Sequence, residues 1–139
     1  MRLLFVLLML PGSSSLHAAE LCRDLQTTPE SNACWNEQVG IAQARLDDYL
    51  ATARDRAVST LGIAADAFDN AQTAWTTYRD LQCGNVQTRW RDATVRPAKV
   101  ARCIVDLDDQ RAHDLWKHSL TYIDRTPSIR PEPELRAGK

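Results

Sequence analysis

Apolar residues return at helical spacing along most of the chain. Between Trp35 and Ala57 one recurs every three or four positions, which is the spacing of a single buried helix face. Thr28 followed by Pro29 fits an N-cap and a first helical position, and Gly62 is a typical helix stop. The sequence therefore predicts a long first helix, whose inward positions are Trp35, Val39, Ala42, Leu46, Tyr49, Ala53 and Ala57.

Two more helices follow the same rule. Asp66 is a candidate N-cap for the second, which ends near Gly84-Asn85 or continues through Trp90, and Arg96-Pro97 begins the third. No stretch alternates with the period of two that a strand requires. We therefore expect an all-α protein, a three-helix antiparallel bundle. Its predicted inward positions are Ala67, Ala71, Ala74, Tyr78 and Leu81, widened by Phe68, Gln72 and Trp75, on the second helix, and Val100, Ile104, Leu107, Arg111, Leu115, His118 and Tyr122 on the third.

The two ends of the chain differ from the helical part. Residues 1–19 combine a basic start, a short apolar run and small residues at Ala18 and Ala19, the parts of a cleavable secretory signal peptide. The apolar run is much shorter than the roughly 20 residues of a bilayer span. We expect a signal peptide at 1–19, a helical domain at 20–123 and, because it holds three prolines, a mobile tail at 124–139. The mature protein is then periplasmic or secreted, with no stable membrane insertion.

Composition narrows the possible functions. The chain has 17 basic and 18 acidic residues, a net charge of −1 that becomes −2 when Arg2 leaves with the signal peptide. This balance excludes a polycation built for nucleic acid. Alanine supplies much of the apolar content, so the helices bury little area and a small domain of this kind needs cross-links.

The four cysteines are suited to that purpose. An even number of cysteines in an exported chain favours disulfides, and the gaps between them contain neither a C-x-x-C redox motif nor a zinc-type pair. We expect no metal and no cofactor. Four cysteines allow three pairings, and their spacing does not choose among them. The four are Cys22, Cys34, Cys83 and Cys103.

The second and third helices carry a recognisable pattern. AQTAWTTYRDLQC follows the form A-Q-x-x-W-x-x-x-R-D-x-x-C, and CIVDLDDQRAHDL follows it downstream. Together with TTPESNAC and RLDDYL upstream, the pattern resembles the LprI-type lysozyme-inhibitor domain, a small exported helical family of bacterial envelopes. The resemblance runs from about Cys22 to Leu115. Its positions in this chain are Leu46, Tyr49, Gln72, Trp75, Arg79, Asp80, Arg111 and Leu115, with the four cysteines in order around them.

The resemblance implies a pairing and a function. It implies the disulfides Cys22–Cys34 and Cys83–Cys103, and a non-catalytic protein that inhibits a lysozyme-like hydrolase. This chain departs from the family type in two respects. Glu20-Leu21 precede the first cysteine, which does not fit a lipoprotein signal, and the segment between Cys83 and Cys103 lacks the glycine-rich stretch of many relatives.

The search for catalytic residues favours a protein that is not an enzyme. There is no H-E-x-x-H, no glycine-rich phosphate loop and no G-x-S-x-G. His113 and His118 are five residues apart and do not share a helix face. Asp47-Asp48 and Asp108-Asp109 are expected to be solvated, because adjacent residues diverge on a helix.

Arg111 is expected to have a structural role. It occupies a seam position, where an unpaired charge is costly, so we expect it to be at least half-buried and paired with Asp80 on the second helix.

One stretch stands out in charge. Residues 84–99 carry a local charge of +3 in a chain of negative net charge. They form either a solvated connector clamped by a disulfide or a loop that binds a partner, since arginine and tryptophan are typical interface anchors. The candidate partner-binding residues are Arg89, Trp90, Arg91 and Arg96.

Two functions remain open at this stage, with an undetected hydrolase as a minor third. The first is a periplasmic inhibitor of a lysozyme-like peptidoglycan hydrolase, acting on a host enzyme or as an immunity protein against a delivered toxin. The second is an envelope adaptor that binds another exported protein, because Trp35, Trp90 and Trp116 exceed what so small a core needs. Both require a protein partner, and the oligomeric state is open.

Overall fold

Three helices make up most of the protein in the computed structural model, which describes residues 21–136. They are α1 at Thr28–Ser59, α2 at Ala65–Arg89 and α3 at Arg96–Leu115. A single π-helical turn, Trp116–Leu120, follows α3. Residues 21–136 contain no strand, so the prediction of an all-α, three-helix fold is confirmed. The predicted signal peptide lies outside the described residues. Within those residues, no helix has both the length and the apolar character that a bilayer crossing requires.

The start of α1 is fixed one residue earlier than predicted. Thr27, not Thr28, is the N-cap: its hydroxyl accepts from the Glu30 backbone N–H (3.3 Å), and the Glu30 carboxylate accepts from the Thr27 N–H (3.0 Å). This reciprocal capping box satisfies donors that the first turn leaves open. At the other end the helix stops at Ser59, and Gly62 takes a left-handed φ of 71° in the turn that follows.

The main core lies between α1 and α3, which run parallel. Trp35, early in α1, packs with Ala98 at the start of α3, whereas Tyr49 packs with Leu115 at its end. Small side chains at the contact let the two helix axes approach closely. The chain returns through α2, which is antiparallel to both. The buried alanines of this interface are Ala42, Ala53, Ala57, Ala98, Ala101 and Ala112.

The inward face of α1 is confirmed, except that Val39 is only half-buried. The prediction for α2 is confirmed for Phe68, Gln72 and Trp75. It is wrong for the other positions, because Tyr78 and Leu81 are 54% and 68% exposed and the predicted alanines also face solvent. Alanines bury too little area to set the rotation of a helix, so larger side chains decide it. The exposed positions are Ala67, Ala71, Ala74, Tyr78 and Leu81; those facing the bundle are Phe68, Gln72, Trp75, Arg79 and Cys83.

The inward face of α3 is rotated by about one residue from the predicted seam. Val100, Ile104, Leu107 and Arg111 are half-buried, and the deepest positions lie beside them. Two further seam predictions are wrong, because His118 and Tyr122 are exposed. The buried residues of α3 are Ala98, Ala101, Val105, Asp108, Asp109, Ala112 and Leu115.

Both disulfides have the pairing that the family resemblance implies. Cys22–Cys34 joins the segment before α1 to the second turn of that helix, and Cys83–Cys103 joins α2 to α3. No cysteine is free.

Residues 121–136 lie along the bundle in an extended conformation. The structure places this segment against α1 and α3, and the mobility expected for residues 124–139 stays a prediction. Its backbone carbonyls accept hydrogen bonds from one ring donor on α1 and one in the π-helical turn. The Tyr49 hydroxyl donates to the Pro131 carbonyl (2.8 Å), and the Trp116 indole N–H donates to the Arg130 carbonyl (3.0 Å).

We expect the cross-links to supply a large share of the stability. Replacing Cys83 and Cys103 together by alanine should lower the free energy of unfolding by roughly 3 kcal/mol, because the unfolded chain regains the entropy of the closed loop. Urea unfolding followed by circular dichroism measures this. As a control, adding reductant should lower the stability of the parent protein by more than it lowers that of the variant, because the parent has two disulfides to lose and the variant has one. A variant whose unfolding midpoint equals that of the parent would contradict the expectation.

Candidate functional site

The residues of the sequence motif meet at the interface of α2 and α3. Two guanidinium groups contact the Trp75 ring, those of Arg79 and Arg111, at 5.5 and 5.7 Å from its centre. Gln72, one turn earlier, accepts a hydrogen bond from Arg111 Nε (3.0 Å). The motif therefore builds a polar contact between two helices, and Leu46, Tyr49 and Leu115 belong to the apolar core beside it.

Arg79 holds the most deeply buried acid of the domain. Its Nη1 donates to Asp108 Oδ1 (3.0 Å), and its Nε and Nη2 donate to Asp80 Oδ1 on the same helix. Burial alone would lower the pKa of Arg79, but the bonds to Asp108 and Asp80 outweigh it and the net shift is upward. Burial raises the pKa of Asp108 even though Arg79 opposes the shift. One Asp108 oxygen, Oδ2, has no hydrogen-bond partner.

The predicted pair of Arg111 with Asp80 is wrong, although Arg111 is half-buried as expected. Asp80 points outward, is 62% exposed at its side chain and is held by Arg79 one residue away. The rotation of α2 places the Gln72 amide, not a carboxylate, opposite Arg111.

The prediction that Asp108 and Asp109 are solvated is also wrong, because they are 0% and 1% exposed. Asp109 accepts from Arg45 Nη1 (3.0 Å) and from Nε and Nη2 of Arg136 (both 3.1 Å). The two acids diverge as adjacent helical residues do, but each turns toward a different packed element. The sequence signal was their position between Val105 and Ala112 on the alanine-rich face of α3.

The predicted partner-binding residues form a short turn between α2 and α3. We call this turn, with its flanking arginines, the basic connector, residues 89–96. Arg89 ends α2 and Arg96 begins α3, so the connector is shorter than the stretch singled out in the sequence. Arg89, Arg91 and Arg96 are exposed, and Trp90 is half-buried beneath the Lys99 ammonium, 5.0 Å from its ring centre.

Hydrogen bonds from Arg96 and from α1 hold the basic connector in place. Arg96 Nη1 donates to the Arg91 carbonyl (2.8 Å), which closes the turn. Asn32 of α1 donates to the Thr94 carbonyl (3.1 Å) and accepts from the Ala98 N–H (3.1 Å), so it caps α3 from another helix. The disulfide between α2 and α3 lies two turns away from each end. The backbone that carries the exposed arginines therefore has little conformational entropy to lose when a partner binds.

Comparison with known proteins identifies the family. The family model described as lysozyme inhibitor LprI matches residues 22–115. The chain belongs to the LprI lysozyme-inhibitor family. The matched part holds both disulfides and the three helices and ends before the π-helical turn, so the segment 121–136 lies beyond it. No curated protein and no solved structure matches the chain significantly.

Membership of the LprI family implies a lysozyme-inhibitor role in general, and the family is in general non-catalytic. In the described part of this member, no group of three or more His, Cys, Asp or Glu side chains is placed to hold a metal ion. The two histidines of residues 21–136 lie apart: His113 is 3.0 Å from Glu132 of the extended segment, and His118 is exposed.

We expect Arg79→Ala to destabilise the domain strongly. It leaves Asp108 buried without a cation, a loss of about 3–5 kcal/mol for broken buried pairs. Thermal and urea unfolding measure the change. Arg54→Ala is the matched control, because its pair with Asp69 is exposed on both sides and should matter little. Equal effects of the two variants would show that the pair with Asp108 is not the stabilising contact.

We expect Asp106→Asn to stabilise the protein at neutral pH. Burial raises the pKa of Asp106, and its Oδ1 is buried without a hydrogen-bond partner. A carboxyl whose folded pKa is raised opposes folding above that pKa, and the effect vanishes below its ordinary value of 3.8. The variant should therefore gain stability at pH 7 and match the parent near pH 3.

Asp124→Asn is the control, because the pKa of Asp124 is shifted downward and the variant should lose stability at pH 7. Hydrogen bonds from Thr126 lower the pKa of Asp124, so this carboxylate stabilises the fold above its ordinary pKa, and that contribution is lost as the pH falls through the lowered value. Unfolding measured from pH 3 to 7 separates the two variants. A loss of stability in Asp106→Asn at pH 7 would contradict the expectation.

Proposed function

We propose that this LprI-family protein is an exported inhibitor of a lysozyme-like peptidoglycan hydrolase and that it binds its target through the basic connector. The observation that carries the proposal is the rigid presentation of Arg89, Arg91 and Arg96 around Trp90 within a domain of that family. Membership of the family supports the class of target, and the connector supplies a surface with suitable chemistry.

The electrostatics of the two partners are complementary. Glycoside hydrolases of the lysozyme type work with two carboxylates in an open cleft. Guanidinium groups form bidentate, charge-assisted hydrogen bonds with carboxylates. A connector inserted into the cleft would pair with these groups and exclude the sugar chain, while Trp90 would contribute apolar area.

The support beneath the connector favours tight binding. A flexible loop would lose conformational entropy on binding, whereas a loop already closed by hydrogen bonds loses little. Asn32 and the Cys83–Cys103 disulfide supply this preorganisation.

The site of action follows from the cross-links and the leader. Two disulfides are suited to an oxidising compartment, and residues 1–19 have the pattern of a secretory signal peptide. We therefore place the protein in the periplasm or outside the cell. The target is a host lysozyme or a hydrolase toxin delivered by competing bacteria, in which case the protein confers immunity.

A second candidate, a non-catalytic envelope adaptor, is favoured by α2. Tyr78 and Leu81, an aromatic and an aliphatic side chain of its outer face, are 54% and 68% exposed. The surplus of tryptophan supports the adaptor less, because Trp35 is buried in the core and Trp116 holds the extended segment. Pull-down from an envelope extract distinguishes the candidates, since a non-hydrolase partner that requires Leu81 supports the adaptor.

Inhibition assays test the main proposal. Purified protein is titrated into a panel of muramidases that includes host lysozymes and secreted bacterial enzymes, with peptidoglycan turbidity as the readout. We expect inhibition of at least one enzyme at micromolar protein and weaker inhibition at higher salt, because the attraction between charges is screened over about 10 Å at 0.1 M. No inhibition of any enzyme would overturn the proposal.

The double variant Arg89→Ala with Arg91→Ala tests the surface. It should weaken inhibition at least tenfold, a loss of roughly 1.4 kcal/mol, and leave folding intact because both side chains are exposed. The matched control is Lys117→Ala with Arg125→Ala, which removes two exposed positive charges at the opposite end of the bundle. Equal inhibition by both double variants would place the binding surface elsewhere.

A further inference from the structure

Arg111 is a half-buried cation without a counter-ion. Its Nε donates to Gln72, its guanidinium lies over Trp75, and no acidic group of residues 21–136 is within ion-pair distance of it. The charge of Asp114 acts on it only from a distance, and the Asp114 carboxylate accepts instead from Gln110 (3.0 Å). Burial lowers the pKa of Arg111, which shows that its environment disfavours an unpaired charge.

A groove lies beside this guanidinium, between the start of α2 and the end of α3. Its volume is about 240 Å³ and Arg111 forms part of its wall. Phe68, Ala71 and Leu115 provide apolar surface, and Asp114 and His118 also line the groove. Pockets for drug-sized ligands usually measure about 300–1,000 Å³, so this groove suits a molecule with a short apolar chain.

We propose that this groove binds a small amphipathic carboxylate, whose head pairs with Arg111 and whose apolar chain lies on Phe68 and Leu115. A guanidinium offers a carboxylate two parallel hydrogen bonds. Gln72 and Trp75 position the group by fixing its Nε and one of its faces. The ligand supplies the counter-ion that residues 21–136 do not place within ion-pair distance of Arg111.

The site is separate from the proposed inhibitory surface. The basic connector joins the end of α2 to the start of α3, whereas the groove lies at the other ends of the same helices. The inference therefore does not rest on inhibition of a hydrolase. The same chemistry could come from a free short-chain acid or from the carboxyl end of a peptide with an apolar last residue.

A titration with matched probes tests the site. Hexanoate and hexanamide have equal chains and differ in charge, and binding is followed by amide chemical shifts of the ¹⁵N-labelled protein. We expect hexanoate to shift the signals of Phe68, Arg111 and Leu115, and hexanamide to bind at least tenfold more weakly. N-acetyl-leucine and its amide form the second arm and represent the carboxyl end of a peptide. Tighter binding of hexanoate indicates a free short-chain acid as the ligand, and tighter binding of N-acetyl-leucine indicates a peptide end. Equal binding of acid and amide in both arms, or no binding of either, would overturn the proposal.

Two variants test separately whether hexanoate binding needs the charge of Arg111 and the open space of the groove. Arg111→Gln removes the cation and should weaken hexanoate binding at least tenfold. Ala71→Phe fills the groove, leaves Arg111 in place and should have the same effect, so the test does not depend on Arg111→Gln folding well. Ala74→Phe is the matched control, because Ala74 is exposed on the same helix and does not line the groove. Unchanged binding in Ala71→Phe would exclude this groove.

Discussion

Two neighbouring carboxylates in the middle of α3 are withdrawn from water, and the rest of the domain is arranged to supply them with cations. Each of the three other elements contributes one arginine: Arg45 from α1, Arg79 from α2 and Arg136 from the extended segment. A buried charge is costly when it is unpaired, and removing one partner costs more than the pair gains. Because adjacent helical residues diverge, Asp108 fixes α2 on one side of the α1–α3 pair and Asp109 fixes the extended segment on the other. The charges thus specify an arrangement that alanine packing alone would leave loosely defined.

Local signals in the sequence account for most of what could be predicted of the fold. The helices begin and end near the predicted positions, although α2 begins after Ala64 without a side-chain cap and the predicted N-cap Asp66 lies inside its first turn. The α1 face is correct because Trp35, Leu46 and Tyr49 are large enough to decide which side is buried. The face of α2 could not be predicted in the same way. Its most regular apolar stripe consists largely of alanine, whereas its rotation is decided by Phe68, Trp75 and the long-range pair between Arg79 and Asp108. A pair of this kind depends on the packing of two helices and leaves no periodic trace in either.

For the functional residues too, some properties are visible in the sequence and others depend on tertiary contacts. The family motif was visible in the sequence, but its role is to join α2 to α3, and only the fold shows that Arg111 lacks the acid expected for it. The connector was visible as a local excess of charge around Trp90. Its rigidity was not, because it depends on Asn32, a residue 62 positions away from Thr94. Composition therefore indicates where a charged surface lies, and tertiary contacts decide whether it is preorganised.

The parallel course of α1 and α3 has a consequence for the order in which the chain folds. The largest interface joins the first helix to the last, so its contacts span about 60 residues, as the Asn32–Thr94 and Arg45–Asp109 bonds do. Closing so long a loop is entropically costly, and the packing contacts that offset this cost form only when α3 is present. A chain emerging from its N-terminus cannot begin to bury α1 until the start of α3 has followed, since α2 covers little of it. The topology thus delays completion of the core until nearly the whole domain is available, and part of the inward face of α1 stays exposed until then.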